Sequence, residues 1–290
     1  MTDRKVALVT GASRGAGAGI ARGFGELGYT VYVTGRTVTP GEAKGWDGSV
    51  LPGTVAETAA KVTELGGQGI PVICDHTDDA QVAKLFEQIE QEQGRLDILV
   101  NNAAYIHHQL IQKKPFWEKE LDAQKILDVG LRSAYVASWH AARIMVPQGS
   151  GLIAMVSSFG ATCYMHGPAY GAQKAGLDKM AHDMGHDLEG TGVAAVSIWL
   201  GPQLTERAKI SAEVEPEQYK DLIAMAENPE FTAHILDAID RAPNRKDLSG
   251  QTLIGAEIAR ELGITDRGVD RPSHREMLGS PRPKNPAAIY

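Results

Sequence analysis

Short apolar runs alternate with amphipathic stretches from the start of the chain to about residue 200. Apolar runs of roughly four to eight residues that are rich in β-branched side chains indicate buried strands, whereas apolar positions spaced three and four residues apart indicate helices. The pattern predicts strands over residues 5–10, 30–34, 69–74, 96–100, 152–156, 193–200 and 251–254. Between them it predicts helices over residues 17–28, 54–66, 78–94, 121–145, 168–188 and 256–262.

This alternation indicates a parallel sheet covered on both faces, because parallel strands need crossover connections. We therefore expect an α/β protein with a doubly wound Rossmann fold: a single domain over residues 1–290, with a mostly parallel seven-stranded sheet and helices on both faces. Four segments depart from the rhythm, namely an insertion at 37–53, a loop at 105–119, a polar segment at 201–246 and a tail at 270–290. We expect 201–246 to be a substrate lid, since long loops in compact domains are commonly functional.

The composition excludes several classes of protein. A chain of 290 residues with a formal net charge of −7 and a pI of about 5.7 lacks the basic excess that phosphate backbones require, so we expect no nucleic-acid partner. No apolar run approaches the ~20 residues of a membrane span, and the N-terminus lacks the apolar core of a signal peptide. We therefore expect a cytoplasmic protein without membrane contact, in which Cys74 and Cys163 form no disulfide framework.

A glycine-rich turn at Thr10–Gly17 follows the first predicted strand and opens the first helix. Gly11, Gly15 and Gly17 leave no Cβ where the backbone must turn tightly and approach a pyrophosphate, whose charge the helix N-terminus stabilises. A turn without any ligand is the alternative, because glycine-rich turns are common. Its position between a strand and a helix favours a dinucleotide site.

The residues after the second strand distinguish the two nicotinamide dinucleotides. An NAD site usually presents a carboxylate to the ribose there, but this chain has Thr34-Gly35-Arg36-Thr37 and no acid. Arg36 and Arg14 carry forked donors that suit a 2′-phosphate, unless both are simply solvated arginines. We therefore expect NADP(H), with NAD(H) as the weaker alternative.

Tyr170 and Lys174 are spaced i and i+4, which places both side chains on one face of a helix. An isolated tyrosine titrates near ~10, and a neighbouring ammonium favours the phenolate. We therefore expect Lys174 to lower the pKa of Tyr170 and to fit it for proton exchange with an alcohol or a carbonyl. Ser157, at the end of the fifth strand, is expected to hold the substrate oxygen; the adjacent Ser158 is its rival, because consecutive strand side chains point in opposite directions.

In this order and at these spacings, the chain resembles the short-chain dehydrogenase/reductase family over nearly its whole length. The matching pieces are Thr10–Gly17, Asp75, Asn101–Ala104, Ser157, Tyr170 and Lys174. The resemblance implies hydride transfer between NADP(H) and a carbonyl or secondary alcohol, with Ser157, Tyr170 and Lys174 as the catalytic residues. With the arginines above, it implies a cofactor-binding set of Gly11, Ser13, Arg14, Gly15, Ala16, Gly17, Arg36, Thr37, Asp75, His76, Asn102, Ala103, Tyr170, Lys174, Gly201 and Thr205.

The resemblance also implies roles and partners. Asp75 is expected to contact adenine and Asn102 to support the central strand. Many family members are homodimers or homotetramers, so we expect one of these assemblies and a small-molecule carbonyl or alcohol substrate. A narrower resemblance, to the branch that contains vertebrate dehydrogenase/reductase family member 1, is carried by Phe116–Glu118, Val129–Arg132 and Ala142–Pro147.

The chain departs from the family pattern at three places. Gly130 stands where an asparagine often completes a catalytic tetrad by helping to hold a relay water, and Ala104 replaces a glycine. Leu200-Gly201-Pro202 replaces the usual Pro-Gly. Gly130 motivates a second hypothesis: a catalytically degenerate dinucleotide-binding or regulatory protein.

Two histidine pairs raise the question of a metal. His182 and His186 have the i, i+4 spacing of a helical zinc pair, but no third ligand is evident in the sequence. His107 and His108 lie in the loop after the fourth strand and are expected to be exposed or near substrate. We therefore expect no metal site.

Overall fold

A computed structural model describes residues 4–45, 48–214, 216–285, 287 and 289. Residues 46 and 47 of the predicted insertion and residues 286, 288 and 290 of the predicted tail lie outside them. All strand pairs in the seven-stranded sheet are parallel, in the order β3-β2-β1-β4-β5-β6-β7. The strands are β1 (Val6–Val9), β2 (Thr30–Gly35), β3 (Gln68–Ile73), β4 (Ile98–Asn101), β5 (Gly151–Ser157), β6 (Val193–Trp199) and β7 (Thr252–Ile254).

The described residues form helices α1 (Gly15–Glu26), α2 (Val55–Glu64), α3 (Asp79–Gln93), α4 (Lys125–Leu127), α5 (Ser133–Gln148), α6 (Pro168–Asp187), α7 (Glu206–Val214), α8 (Pro216–Met225), α9 (Phe231–Arg241), α10 (Arg245–Leu248), α11 (Gly255–Glu261) and α12 (Arg275–Leu278). At the predicted starts of α2 and α3, side chains cap the helix N-terminus. Thr54 accepts a hydrogen bond from the Glu57 N–H, and Asp78 accepts one from the Gln81 N–H. Within the part of the chain that the structure describes, we find no helix with the length and apolar character of a membrane span.

Two apolar layers enclose the sheet, as the doubly wound prediction requires. One layer packs α1, α2, α9 and α11 against one face, and the other packs α3, α5 and α6 against the opposite face. Because all strands run in the same direction, their carboxyl ends share one edge, and the chain order reverses direction between β1 and β4. Ligands in open α/β sheets bind beyond that edge, at the reversal.

The predicted helix over 121–145 is wrong in its first half. Residues Leu121–Gln124 form a 3₁₀ turn, α4 follows, and Asp128–Arg132 form a π-helical turn before α5 begins. Single π turns inside helices are frequent at functional sites.

The predicted lid over 201–246 divides into two parts. Helices α7 and α8 cover the carboxyl edge of the sheet, but α9 belongs to the core, where Phe231, Ile235 and Leu236 are buried. The approach of α9 to α1 depends on two glycines. A Cβ on Gly19 would lie 2.0 Å from the Pro229 Cβ, and a Cβ on Gly23 would lie 2.6 Å from a backbone oxygen.

Candidate active site

The glycine turn is built for close approach of backbone. Gly11 has φ +65°, and a Cβ on it would lie 2.7 Å from the Ala103 Cα. A Cβ on Gly17 would lie 2.3 Å from the Asn102 side-chain nitrogen. That nitrogen donates to the carbonyl oxygens of Thr10 (2.9 Å) and Gly11 (3.1 Å), so Asn102 ties the ends of β1 and β4 together.

A cavity of about 800 Å³ runs from this turn to Tyr170. Most of the predicted cofactor-binding residues line it: Gly11, Ser13, Arg14, Gly15, Ala16, Gly17, Arg36, Thr37, Asp75, His76, Asn102, Ala103, Tyr170 and Thr205. Lys174 and Gly201 do not contribute to its wall. The cavity therefore joins the glycine turn to the tyrosine in one continuous space of ordinary ligand-site size.

Charged and neutral groups alternate at the glycine-turn end of the cavity. The Arg36 guanidinium lies 3.6 Å from the Asp75 carboxylate. Burial favours the neutral acid, but hydrogen bonds from Thr77 and the charge of Arg36 hold the pKa of Asp75 below its usual range. Burial lowers the pKa of His76 to about 4, so this imidazole is neutral at pH 7, and its Nε2 lies 2.8 Å from the Thr34 hydroxyl.

Arg14 has a task that the sequence did not indicate. Its Nε donates to the Pro52 carbonyl oxygen (3.3 Å) and one terminal nitrogen donates to the Gly53 carbonyl oxygen (2.9 Å). Arg14 therefore fastens the insertion to the glycine turn, and it lines the cavity together with Arg36. Lys44, from the same insertion, also lines the cavity.

The lid contacts the glycine turn directly. At the first residue of α7, the Glu206 carboxylate accepts a hydrogen bond from the Gly15 N–H at the N-terminus of α1 (3.2 Å). A carboxylate at a helix N-terminus is electrostatically favourable. Glu206 therefore holds α7 at the place where the sequence predicts a pyrophosphate.

Tyr170 lies at the opposite end of the cavity. The Ser158 Oγ is 3.0 Å from the Tyr170 Oη. The phenol ring packs against Gly160, on which a Cβ would lie 2.6 Å from a ring carbon, and edge-on against the His166 ring at 5.0 Å between centroids. A serine hydroxyl and a phenol hydroxyl thus converge on one point at the cavity wall.

The placement of Ser157 beside the tyrosine is wrong. Its hydroxyl donates to the Lys174 carbonyl oxygen on α6 (3.1 Å) and is buried behind the site. Ser158 follows the last residue of β5, and it is the Ser158 hydroxyl that lies beside Tyr170, a residue of the cavity wall. The one-residue shift reverses the direction of the side chain, as strand alternation requires.

Lys174 supports Tyr170 from behind. Its Nζ donates to the Val156 carbonyl oxygen (3.0 Å) and lies 5.4 Å from the centre of the Tyr170 ring. Burial lowers the pKa of Lys174 to about 8, against the charge of Asp178, which raises it. The ammonium form therefore still predominates at pH 7.

The expected lowering of the pKa of Tyr170 by the ammonium did not take burial of the phenol into account. Burial raises the pKa of Tyr170, and the Ser158 hydrogen bond opposes this effect without cancelling it. A positive charge close to the phenol would act against this effect of burial.

A family model for the short chain dehydrogenases matches residues 5–215, which is more than half of the chain. The chain belongs to this family. This short-chain dehydrogenase is 40% identical over 274 residues to human dehydrogenase/reductase SDR family member 1, which covers 90% of this chain and 83% of that protein. It is 29% identical over 259 residues to tropinone reductase-like 2 of Erythroxylum coca, with 89% and 82% of the two chains covered.

Solved structures show the same fold. A short chain dehydrogenase from Mycobacterium thermoresistibile has a TM-score of 0.73 at 22% identity and covers 92% of this chain and 90% of its own. A short-chain type dehydrogenase/reductase from Mycobacterium marinum has a TM-score of 0.68 at 24% identity, with 86% and 93% covered. The Rossmann fold and the family resemblance of the sequence are confirmed, and the chain is an oxidoreductase of a family that uses nicotinamide dinucleotides.

Gly201 makes a close contact that the sequence did not indicate. A Cβ on it would lie 2.6 Å from the Glu227 Oε1 and 3.4 Å from the His274 Nε2, and both of these atoms are buried without a hydrogen-bond partner among the described residues. The other Glu227 oxygen accepts from the Gly201 N–H and the Gln203 amide. The altered Leu200-Gly201-Pro202 turn therefore makes room for a buried carboxyl.

Burial raises the pKa of Glu227 to about 7. Because an unfolded chain releases this proton near its ordinary pKa of 4.5, the contribution of the carboxyl is fully present below about pH 4.5 and is lost as the pH rises through 7. We expect the unfolding free energy of wild type to fall by on the order of 3 kcal/mol between about pH 5 and 8. This fall should be absent in Glu227→Gln, whose amide does not ionise. Urea unfolding of wild type, Glu227→Gln and the exposed-site control Glu261→Gln measures it. Parallel pH profiles for wild type and Glu227→Gln would contradict the assignment.

Among the described residues, one group of three potential metal ligands comes together: His107, His108 and Glu120. Both ring nitrogens of His107 already have hydrogen-bond partners. Its Nδ1 accepts from the Gln109 N–H (3.1 Å), so its proton resides on Nε2, which lies 2.7 Å from the Asp122 carboxylate. Coordination of a metal through Nε2 would leave the ring without a proton. The cluster is therefore better suited to holding the loop in place than to binding a cation.

Several residues near the site escaped the sequence analysis. The lid contributes Glu206, Arg207, Tyr219 and Leu222 to the cavity wall, and the turn after β6 contributes Gln203. No local signal identifies them, because their position depends on how the lid folds back over the sheet. Ser158 was recognisable only as one of two candidates.

Proposed function

We propose that this short-chain dehydrogenase transfers a hydride between NADP(H) and a carbonyl or secondary alcohol, and that Ser158, Tyr170 and Lys174 carry out the acid–base chemistry. The observation that carries the proposal is the 3.0 Å contact between the Ser158 and Tyr170 hydroxyls, at the end of a cavity that begins at the glycine turn. Two hydroxyls at hydrogen-bond distance, one of them on a residue of the cavity wall, are suited to bind one substrate oxygen.

Each side chain has a distinct task in the proposed reaction. The nicotinamide of a bound cofactor supplies or accepts the hydride. Tyr170 Oη donates its proton to the substrate oxygen during reduction and takes it back during oxidation. Ser158 Oγ orients that oxygen and stabilises its developing charge, while the Lys174 ammonium, held by Val156, favours the ionised phenol.

The cavity fits a dinucleotide at its other end. Gly15 and Gly17 line the cavity at the α1 N-terminus, where the Gly15 N–H donates to Glu206 of the lid, and Asn102 fixes the turn. Arg36 and Lys44 bring positive charge to the wall, which favours NADP(H) over NAD(H) because only the former carries a 2′-phosphate.

Arg36→Ala is expected to weaken NADPH binding by about tenfold and to change NADH binding by less than about twofold, because one charge-assisted contact is lost only with the phosphorylated cofactor. Titration of intrinsic fluorescence with each cofactor measures both affinities. Arg132→Ala is the control, since Arg132 pairs with Asp79 on the surface. Equal weakening of both cofactors, or no weakening, would contradict the NADP(H) assignment.

The substrate end of the cavity is largely apolar. Tyr105, Ile106 and Leu110 from the loop after β4 line it, together with His166. Burial lowers the pKa of His166, so this imidazole is neutral at pH 7. Such a wall favours uncharged aldehydes, ketones and secondary alcohols.

We propose a homodimer or homotetramer as the assembly. Tyr135 and Trp139 are about half exposed on α5, at 55% and 49%, and large apolar groups exposed on one helix are typical of subunit contacts. Light scattering of the purified protein determines the number of subunits.

The alternative of a degenerate dinucleotide-binding protein makes a separate prediction. It requires cofactor binding without turnover across a panel of aldehydes, ketones and secondary alcohols. The convergence of Ser158, Tyr170 and Lys174 favours the enzyme, and the same panel distinguishes the two functions.

A further inference from the structure

Gly130 lies in the π-helical turn between α4 and α5 and is buried. Its backbone does not require glycine, because its φ is outside the left-handed region. The requirement is one of space: a Cβ on residue 130 would lie 1.9 Å from the side-chain nitrogen of Gln173 and 2.5 Å from its amide carbon. The Gln173 amide therefore fills the volume in which any side chain on residue 130 would begin.

A second contact joins the π turn and α6, and here the side chain comes from the π turn and the glycine from α6. A Cβ on Gly176 in α6 would lie 2.7 Å from a methyl carbon of Leu131, the neighbour of Gly130. Gln173 of α6 thus enters a notch in the π turn, and Leu131 of the π turn enters a notch in α6. Reciprocal insertions of this kind fix how far one element can slide along the other.

Lys174 lies between these two insertions. Gln173, only 2% exposed, precedes it directly, and Gly176 follows two residues later. The Ser157 hydroxyl holds its carbonyl oxygen from the sheet side. The position of the Lys174 ammonium relative to the Tyr170 ring therefore depends on how this turn of α6 is seated.

We propose that Gln173 is a positioning residue for Lys174: its amide, seated at Gly130, replaces the side chain that the chain lacks there and fixes the turn of α6 that carries the ammonium. The amide that fills the space beside residue 130 thus comes from α6. The role of Gln173 rests on the proposed function of Lys174 and Tyr170, whereas the packing at Gly130 does not.

The packing is tested by a double-mutant cycle. Gly130→Asn alone is expected to lower the melting temperature, because its side chain collides with Gln173, and Gln173→Ala alone lowers it by leaving a cavity. The swap Gly130→Asn/Gln173→Ala is expected to be more stable than the sum of the two single losses predicts. Exact additivity, or a Gly130→Asn variant as stable as wild type, would overturn the packing claim whether or not the protein is an enzyme.

The positioning role is tested by the ionisation of Tyr170, followed as the ultraviolet difference from Tyr170→Phe with NADP⁺ present. Gln173→Ala is expected to raise the pH of this ionisation by about half a unit or more, because the ammonium moves away from the phenol, and the swap is expected to reverse most of the change. Turnover should fall about tenfold in Gln173→Ala, chiefly in kcat, and recover in the swap.

Gln148→Ala is the matched control. Its amide bonds both backbone groups of Leu96, just before β4 and thus at the edge of the sheet opposite the cavity, so its loss lowers stability without changing the phenol. A Gln173→Ala variant that behaves like Gln148→Ala, with a lower melting temperature and an unchanged Tyr170 ionisation, would overturn the positioning role. A failure of the proposed function is separate, since it would leave wild type itself without turnover.

Discussion

Tyr170→Phe is expected to lower kcat by about 10³-fold while NADP(H) affinity changes by less than about threefold. The substitution removes one hydroxyl, which we assign as the proton donor and acceptor, and leaves the ring that packs on Gly160. Steady-state kinetics on the carbonyl panel and a cofactor titration measure the two quantities.

Tyr135→Phe is the control for this experiment, because it removes a hydroxyl outside the cavity wall and keeps the ring that we place at a subunit contact. It is expected to retain nearly full activity. Substantial turnover in Tyr170→Phe, at more than about one-tenth of the wild-type rate, would contradict the role of the phenol.

The two adjacent serines provide the second large effect. Ser158→Ala is expected to lower kcat by about 10²-fold, because it removes the hydroxyl that lies 3.0 Å from the Tyr170 Oη and that we assign to binding the substrate oxygen. Ser157→Ala loses a buried hydrogen bond to the Lys174 carbonyl and is expected to cost about 1 kcal/mol of stability with a much smaller loss of kcat.

We compare the two variants by measuring kcat on the same substrate panel and the free energy of unfolding in urea. The serine assignment predicts that the kinetic loss belongs to position 158 and the stability loss to position 157. A larger kinetic loss in Ser157→Ala than in Ser158→Ala would show that the serine assignment is reversed.

The sheet was predictable because each strand carries its own signal. Buried parallel strands read as continuous apolar runs, and all seven predicted strands overlap the observed ones. The glycine turn and the Tyr170/Lys174 pair were equally accessible, since each depends on residues close together in sequence. The Ser157 error has a simple cause: alternation indicates that only one of two neighbours faces the cavity, but not which one.

Contacts between distant segments account for the other differences. The π turn at Gly130 depends on Gln173 across the helix interface, and no pattern within residues 121–145 indicates it. Helix α9 has an apolar face that includes Phe231, Ile235 and Leu236, and this spacing is a helical signal. The polar residues before and after it in the sequence obscured that signal. Its burial also required Gly23 on α1, which local periodicity does not connect to it.

The use of Arg14 and the pKa of Tyr170 needed the folded protein for a different reason. The contact of Arg14 with Gly53 joins residues 39 positions apart, which local sequence does not indicate. The pKa of Tyr170 depends on burial, which raises it, as much as on charge. Sequence spacing indicates which groups are near each other, but it does not give the desolvation that opposes their interaction.

The most direct test of the account is the ionisation of Tyr170 with and without NADP⁺, measured as the ultraviolet difference between wild type and Tyr170→Phe. The account predicts that the phenol titrates above its ordinary pKa in the free protein, because burial raises it, and at a clearly lower pH once NADP⁺ adds a positive charge beside it. An ionisation that is the same in both states would contradict the claim that cofactor and phenol share one site.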